Sequence, residues 1–71
     1  MKQLDRVERA MELAGCPGST ITDDQGKVLY IQAYIRVAGH QGRIYLSDAP
    51  SNLTIAKMTG EIAESLRRLR G

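Results

Sequence analysis

The residues of this 71-residue chain that could do covalent or metal chemistry are few, and their spacing does not bring them together. His40 is the one histidine. It sits between Gly39 and Gln41-Gly42 at the tip of an expected hairpin, where a polar turn residue is ordinary. Zinc sites need three or four His, Cys or carboxylate ligands, and no second ligand type clusters near His40 in sequence. Cys16 is the one cysteine. A thiol nucleophile needs a base beside it, and its only histidine candidate lies at another turn. Asp23 and Asp24 are turn formers, and adjacent carboxylates do not make the opposed pair that acid/base work requires. Asn52-Leu53-Thr54 fits the glycosylation acceptor pattern, but the N-terminus, MKQLDRVE, is charged from its second residue and has no apolar signal region. No glycine-rich loop has phosphate-binding spacing, and a substrate-sized pocket is hard to fit into so small a domain. These residues lead us to expect a non-enzyme with no cofactor, no metal and no small-molecule substrate.

Recognition chemistry is better supplied. Lys27 to Val37, KVLYIQAYIRV, reads as one long strand with two unlike faces, because side chains alternate along a strand. Leu29, Ile31, Ala33, Ile35 and Val37 make an aliphatic core face. Val28, Tyr30, Gln32, Tyr34 and Arg36 make the other. With Thr20, Thr22, Arg43, Tyr45 and Ser47 from neighbouring strands, that second face collects every tyrosine of the chain. Tyrosine rings can stack on bases or anchor a protein interface, arginine can take phosphate or carboxylate, and Gln32 can read an adenine edge. A plainer account also exists: tyrosine favours strands and arginine is a normal solvated residue.

The elements that must position these side chains follow from periodicity. Residues 2–14 read as an amphipathic helix, with Leu4, Val7, Met11 and Ala14 on one stripe and Leu13 beside it. Gly15 is placed for the left-handed position after the helix, and Pro17 forbids its continuation. Residues 19–22 form a first strand, joined to the long strand by a three-residue loop, Asp24-Gln25-Gly26, with Gly26 left-handed. That register sets Thr22 opposite Val28, Ile21 opposite Leu29 and Thr20 opposite Tyr30. A second turn, Ala38-Gly39-His40-Gln41, leads into a third strand at 42–47. Matching the apolar faces there sets Ile35 opposite Ile44, Tyr34 opposite Tyr45 and Arg36 opposite Arg43. Asp48 to Asn52 is rich in helix-start residues, and a second helix runs from about Ser51 to Arg70 with Ile55, Met58, Ile62, Leu66 and Leu69 as its stripe. Gly60 is its weak spot, and it could admit another backbone. The expected fold is α+β, a single domain over 1–71 in the order α-β-β-β-α, with an antiparallel sheet in strand order 1-2-3. Both helices cover the aliphatic face and leave the other bare.

Composition narrows the setting. A chain this short hides only about 60% of its unfolded surface on folding, so self-association is a common remedy. With no Phe or Trp, the core must be aliphatic. A net charge of +2 permits a polyanionic partner without demanding one. One cysteine suits a reducing compartment, and no apolar run approaches the roughly 18 residues of a membrane span. We expect a cytoplasmic protein of bacterial type that does not enter membranes.

The element order resembles that of the double-stranded RNA-binding domain, over the whole chain. Ala56-Lys57 falls at the head of the second helix, where that family carries a lysine-rich segment that grips phosphates; the preceding lysine pair is absent. The resemblance implies contacts from the first helix, the first β-turn and the start of the second helix, and no binding residue is carried over on it. The residues themselves favour a small binding protein that engages a protein partner, itself or another, through Tyr30, Gln32, Tyr34, Arg36, Arg43 and Tyr45. Inhibitors and adaptors encoded by phages and plasmids are often of this size. The alternative is a nucleic-acid-binding module that uses the same face on phosphates and bases.

Overall fold

A computed structural model describes residues 2–35 and 40–71. Helix α1 (Gln3–Ala14) turns Val7, Ala10 and Met11 inward and leaves Leu13 in solvent. Gly15 ends it at φ 67°. The Gly15 N–H bonds to the Glu12 carbonyl at 3.1 Å and the Cys16 N–H to the Met11 carbonyl at 2.9 Å, the paired bonds that close a helix on a left-handed glycine.

Strands β1 (Gly18–Thr22), β2 (Val28–Tyr34) and β3 (Gln41–Ile44) form an antiparallel sheet in the order β1-β2-β3. A 3-10 turn at Pro50–Asn52 precedes helix α2 (Ile55–Leu69). The element order is therefore α-β-β-β-α, as expected. The second helix starts four residues later than its sequence suggests. Leu53 is extended and breaks the run, and the Thr54 hydroxyl caps α2 by accepting from the Lys57 N–H at 3.0 Å, satisfying one of the orphan donors of the first turn. Both helices lie on one face of the sheet. Val7, Ala10, Met11 and Cys16 meet Ile31, Ala33 and Ile44 from the sheet and Met58, Ile62 and Leu66 from α2 in one buried aliphatic cluster.

The first hairpin loop is the expected one. Asp23 faces Lys27 across Asp24, Gln25 and Gly26, with Gly26 at φ 83°. The Asp23 carboxylate locks the loop by accepting from the Gln25 and Lys27 N–H groups at 2.9 and 2.8 Å. Thr22 then pairs with Val28, also as expected. Beyond it the register departs. A bulge puts Ile21 opposite Tyr30 and Thr20 opposite Ile31. One inserted residue reverses the facing of what lies on one side of it. Val28 consequently packs against the core, and Leu29, expected inside, is 48% exposed. Thr20, expected outside, turns toward α1 and reaches the Met11 sulfur at 3.4 Å, while Ile21 joins the outer face.

The second hairpin corrects a larger expectation. Ile44 pairs with Ile31, Arg43 with Gln32, Gly42 with Ala33 and Gln41 with Tyr34, four residues away from the expected pairing. Side chains repeat every two residues, so a slip by an even number keeps every side chain on its face, and the apolar pattern cannot detect it. The long strand ends at Tyr34, and the Ile35 N–H bonds to the His40 carbonyl at 3.2 Å. His40 and Gln41, expected in the turn, therefore belong to the ladder and its end. Arg36, Val37, Ala38 and Gly39 lie outside the described residues, so the expected place of Arg36 on the face is not described. Arg43 faces Gln32, and the expected arginine–arginine opposition at that position does not occur.

The two helices are also tied through a residue that periodicity does not single out. Arg6, on α1, sends its guanidinium to the carbonyl oxygens of Pro50 and Leu53, in the segment that leads into α2. On the other side, Ser47 is clamped to α2. Its N–H and its hydroxyl both donate to the Glu61 carboxylate, at 2.8 and 2.6 Å.

Candidate binding face

The face of the sheet away from the helices carries Ser19 and Ile21 from β1, Tyr30, Gln32 and Tyr34 from β2, and Gln41, Arg43 and Tyr45 from β3 and its continuation. Strand alternation places them there, and the register decides which of them touch. Because β3 pairs four residues along from expectation, Tyr45 comes beside Tyr30 rather than Tyr34. The two rings are 5.7 Å apart between centroids and tilted by 45°. The Arg43 guanidinium carbon lies 4.6 Å from the Tyr30 ring centroid, within the range of a cation–π contact. The neighbouring Tyr45 hydroxyl raises the arginine pKa above its ordinary value, and the nearby Tyr30 and Tyr45 phenols add to the effect. Tyr30, Arg43 and Tyr45 are thus a preassembled cluster, with Tyr45 62% exposed.

The other expected site residues sit around it. Tyr34 is 46% exposed, and its hydroxyl lies 3.3 Å from the Ser19 hydroxyl. The Gln32 side-chain amide donates to the Gln41 side-chain carbonyl. Thr22 is exposed beside the first loop. Ser47, expected on the face, lies beyond β3 and is bonded to Glu61 of α2. Sequence reasoning missed Ile21, which packs outward opposite Tyr30. A β-branched residue next to a hairpin loop gives no signal of a bulge.

The residues weighed for covalent chemistry are not drawn together. Cys16 is buried and free, and burial pushes its thiol pKa up, with Arg70 pulling weakly the other way. Desolvation of this kind favours the protonated thiol over the nucleophilic thiolate. Among the described residues no group of three or more His, Cys, Asp or Glu side chains could hold a metal ion. Contrary to the size argument, an open groove of about 910 Å³ exists at one end of the sheet, between the start of α1, the first hairpin and Pro50. Leu4, Leu29, Ile31 and Leu46 line it, together with Lys2 and Lys27.

Comparison with known proteins gives no match: no family model, no curated protein and no solved structure is similar to this chain. No comparison supports the expected likeness to double-stranded RNA-binding domains. No helix among the described residues is long and apolar enough to cross a membrane.

Proposed function

We propose that this chain is a non-enzymatic binding protein that engages a protein partner through the Tyr30–Arg43–Tyr45 face. The observation that carries the reading is the packing of Arg43 over Tyr30 and beside Tyr45 on the face that neither helix covers. Tyr and Arg are the residue types that dominate interface hot spots, and side chains already held in place lose little freedom on binding. The groups that would stack on a base or read its edge are engaged within the face. Arg43 occupies a face of the Tyr30 ring, Gln32 is bonded to Gln41, and Tyr34 is bonded to Ser19. This favours a protein over a base-stacking or base-reading role. The buried, free Cys16 supports a reducing, cytoplasmic setting.

Light-scattering chromatography of the purified chain tests the choice. It is run with and without a mixed pool of short single- and double-stranded DNA and RNA, at low and moderate salt. The reading expects an elution mass that ignores the nucleic acid at both salts. A shift onto nucleic acid that fades as salt rises would mean that the arginines meet phosphates, and would replace the reading with a nucleic-acid-binding one.

A further inference from the structure

Resting on that reading, we propose that the free edge of β3, framed by Arg43 and Arg68, takes an extended acidic segment of the partner protein as a fourth strand. The hydrogen-bond parity of the sheet identifies the available groups. The Ile35 N–H bonds to the His40 carbonyl, so the pairs Ala33–Gly42 and Ile31–Ile44 also exchange ladder bonds. Alternate residues in an antiparallel strand point their peptide groups the other way. Gln41, Arg43 and, by continuation, Tyr45 therefore aim their N–H and C=O groups away from β2. The next residue in this series is Ser47, and its N–H is already taken by a carboxylate, that of Glu61, at 2.8 Å. At Arg43 and Tyr45 no described residue plays that part. An edge of this kind is a ready template for another strand.

The surroundings select the occupant. A groove of about 320 Å³ runs between this edge and the last turns of α2. Arg43, Ile44, Tyr45, Ser65, Arg68 and Leu69 line it, with two guanidiniums and no carboxylate. Gly42 lets α2 close on the strand here: a Cβ at that position would stand 2.6 Å from a Leu69 methyl carbon. An incoming residue opposite Arg43 would lie on the tyrosine face, where an acidic side chain suits the guanidinium. One opposite Ile44 would point the other way, toward Leu69, and an aliphatic side chain suits it. The fitting segment alternates acidic and aliphatic residues over about four to six positions. A second copy of this chain fits poorly. Pairing β3 with itself would gather Arg43 and Arg68 of both copies along one seam, and like charges across a seam repel.

A display library of random octapeptides, selected against the immobilised full chain, tests this. The enriched peptides should alternate Asp or Glu with aliphatic residues and should shift the amide resonances of Arg43 and Tyr45. N-methylation of the best peptide at alternate residues should abolish binding in one parity, at least tenfold, and spare it in the other. The pair Arg43→Glu with Arg68→Glu should move the preference to lysine-bearing peptides. Absence of enriched peptides, enrichment of neutral or basic ones, or indifference to N-methylation in both parities would overturn the inference. Should the selected peptides shift Tyr30 and Tyr34 but not the edge amides, the edge proposal falls and the sheet-face reading stands. Should they contact only the helices, both fall.

Discussion

Replacing Arg6 with methionine should cost this fold a large part of its stability, although the residue is charged and partly solvent-accessible. Methionine keeps an unbranched stem of similar reach along α1 and removes only the guanidinium. That guanidinium bonds two carbonyls, of Pro50 and Leu53, and so fixes the segment from which α2 starts. A hydrogen bond to a charged group contributes about 1.5–3 kcal/mol, so two would give about 3–6 kcal/mol if the carbonyls were left bare. Arg6 is only half-buried, and water can take over part of the lost bonding. The expected loss is therefore about 2–3 kcal/mol. For a domain of this size each kcal/mol moves Tm by about 4–8 °C, so Tm should fall by about 10–20 °C. Urea unfolding followed by circular dichroism should show the midpoint shifting at constant slope, which marks a change in stability rather than in compactness. Arg9→Met, on the exposed side of the same helix, is the control and should stay within about 0.5 kcal/mol. Equal effects from the two variants, or a loss under about 0.5 kcal/mol for Arg6→Met, would refute the assignment of Arg6 as the tie between α1 and the α2 entry.

Three further outcomes follow from the same geometry. Ile31→Asp should unfold the chain, since it puts an unpaired charge at a fully buried position, whereas Arg43→Ala should melt within a few degrees of the parent; thermal melts in the reverse order would mean the sheet is inside out. Gly60→Ala should stabilise the protein by about 1 kcal/mol, because a Cβ there meets no described atom within 4 Å and alanine is the better helix former; a loss of stability in urea would mean something approaches that position. The Ser47 hydroxyl first, with its N–H and Lys57 adding less, holds the Glu61 carboxyl below its ordinary pKa. A depressed pKa contributes stability above the ordinary carboxylate range and loses it as pH falls through the lowered value. Glu61→Gln should therefore flatten part of the acid-side decline in Tm, and parallel parent and variant curves from neutral to acid pH would contradict the clamp.

The sequence carried the elements and their faces better than their pairing. Val7 and Met11 in α1, and Met58, Ile62 and Leu66 in α2, stand at helical spacing, and all are buried. Gly15 and Gly26 marked a helix end and a loop through the one residue type that takes positive φ freely. Registers were less legible, for two different reasons. The Leu29 bulge has no sequence signal of its own, so Ile21 and Thr20 exchanged faces. The slip of β3 by four residues is invisible to a pattern of period two, which pairs Tyr45 with Tyr34 although it meets Tyr30. The bare face therefore carries Tyr30, Gln32, Tyr34, Arg43 and Tyr45, with other neighbours than the pattern implies. Arg6 was hidden because an arginine on a helix reads as solvated, and its two carbonyl partners lie more than 40 residues away.

The proposed protein contact of the bare sheet face and its β3 edge can be trapped in place. Site-specific photo-crosslinking in the native cell addresses it most directly. A benzophenone amino acid is placed at Tyr34 or Gln41 on the sheet face, and at Glu8 or Glu12 on the exposed side of α1. A discrete protein adduct is expected from the sheet positions, lost when Tyr30→Ala and Arg43→Ala are added, and none from the helix positions. Adducts from Glu8 or Glu12 alone, or nucleic-acid adducts from the sheet face, would contradict it.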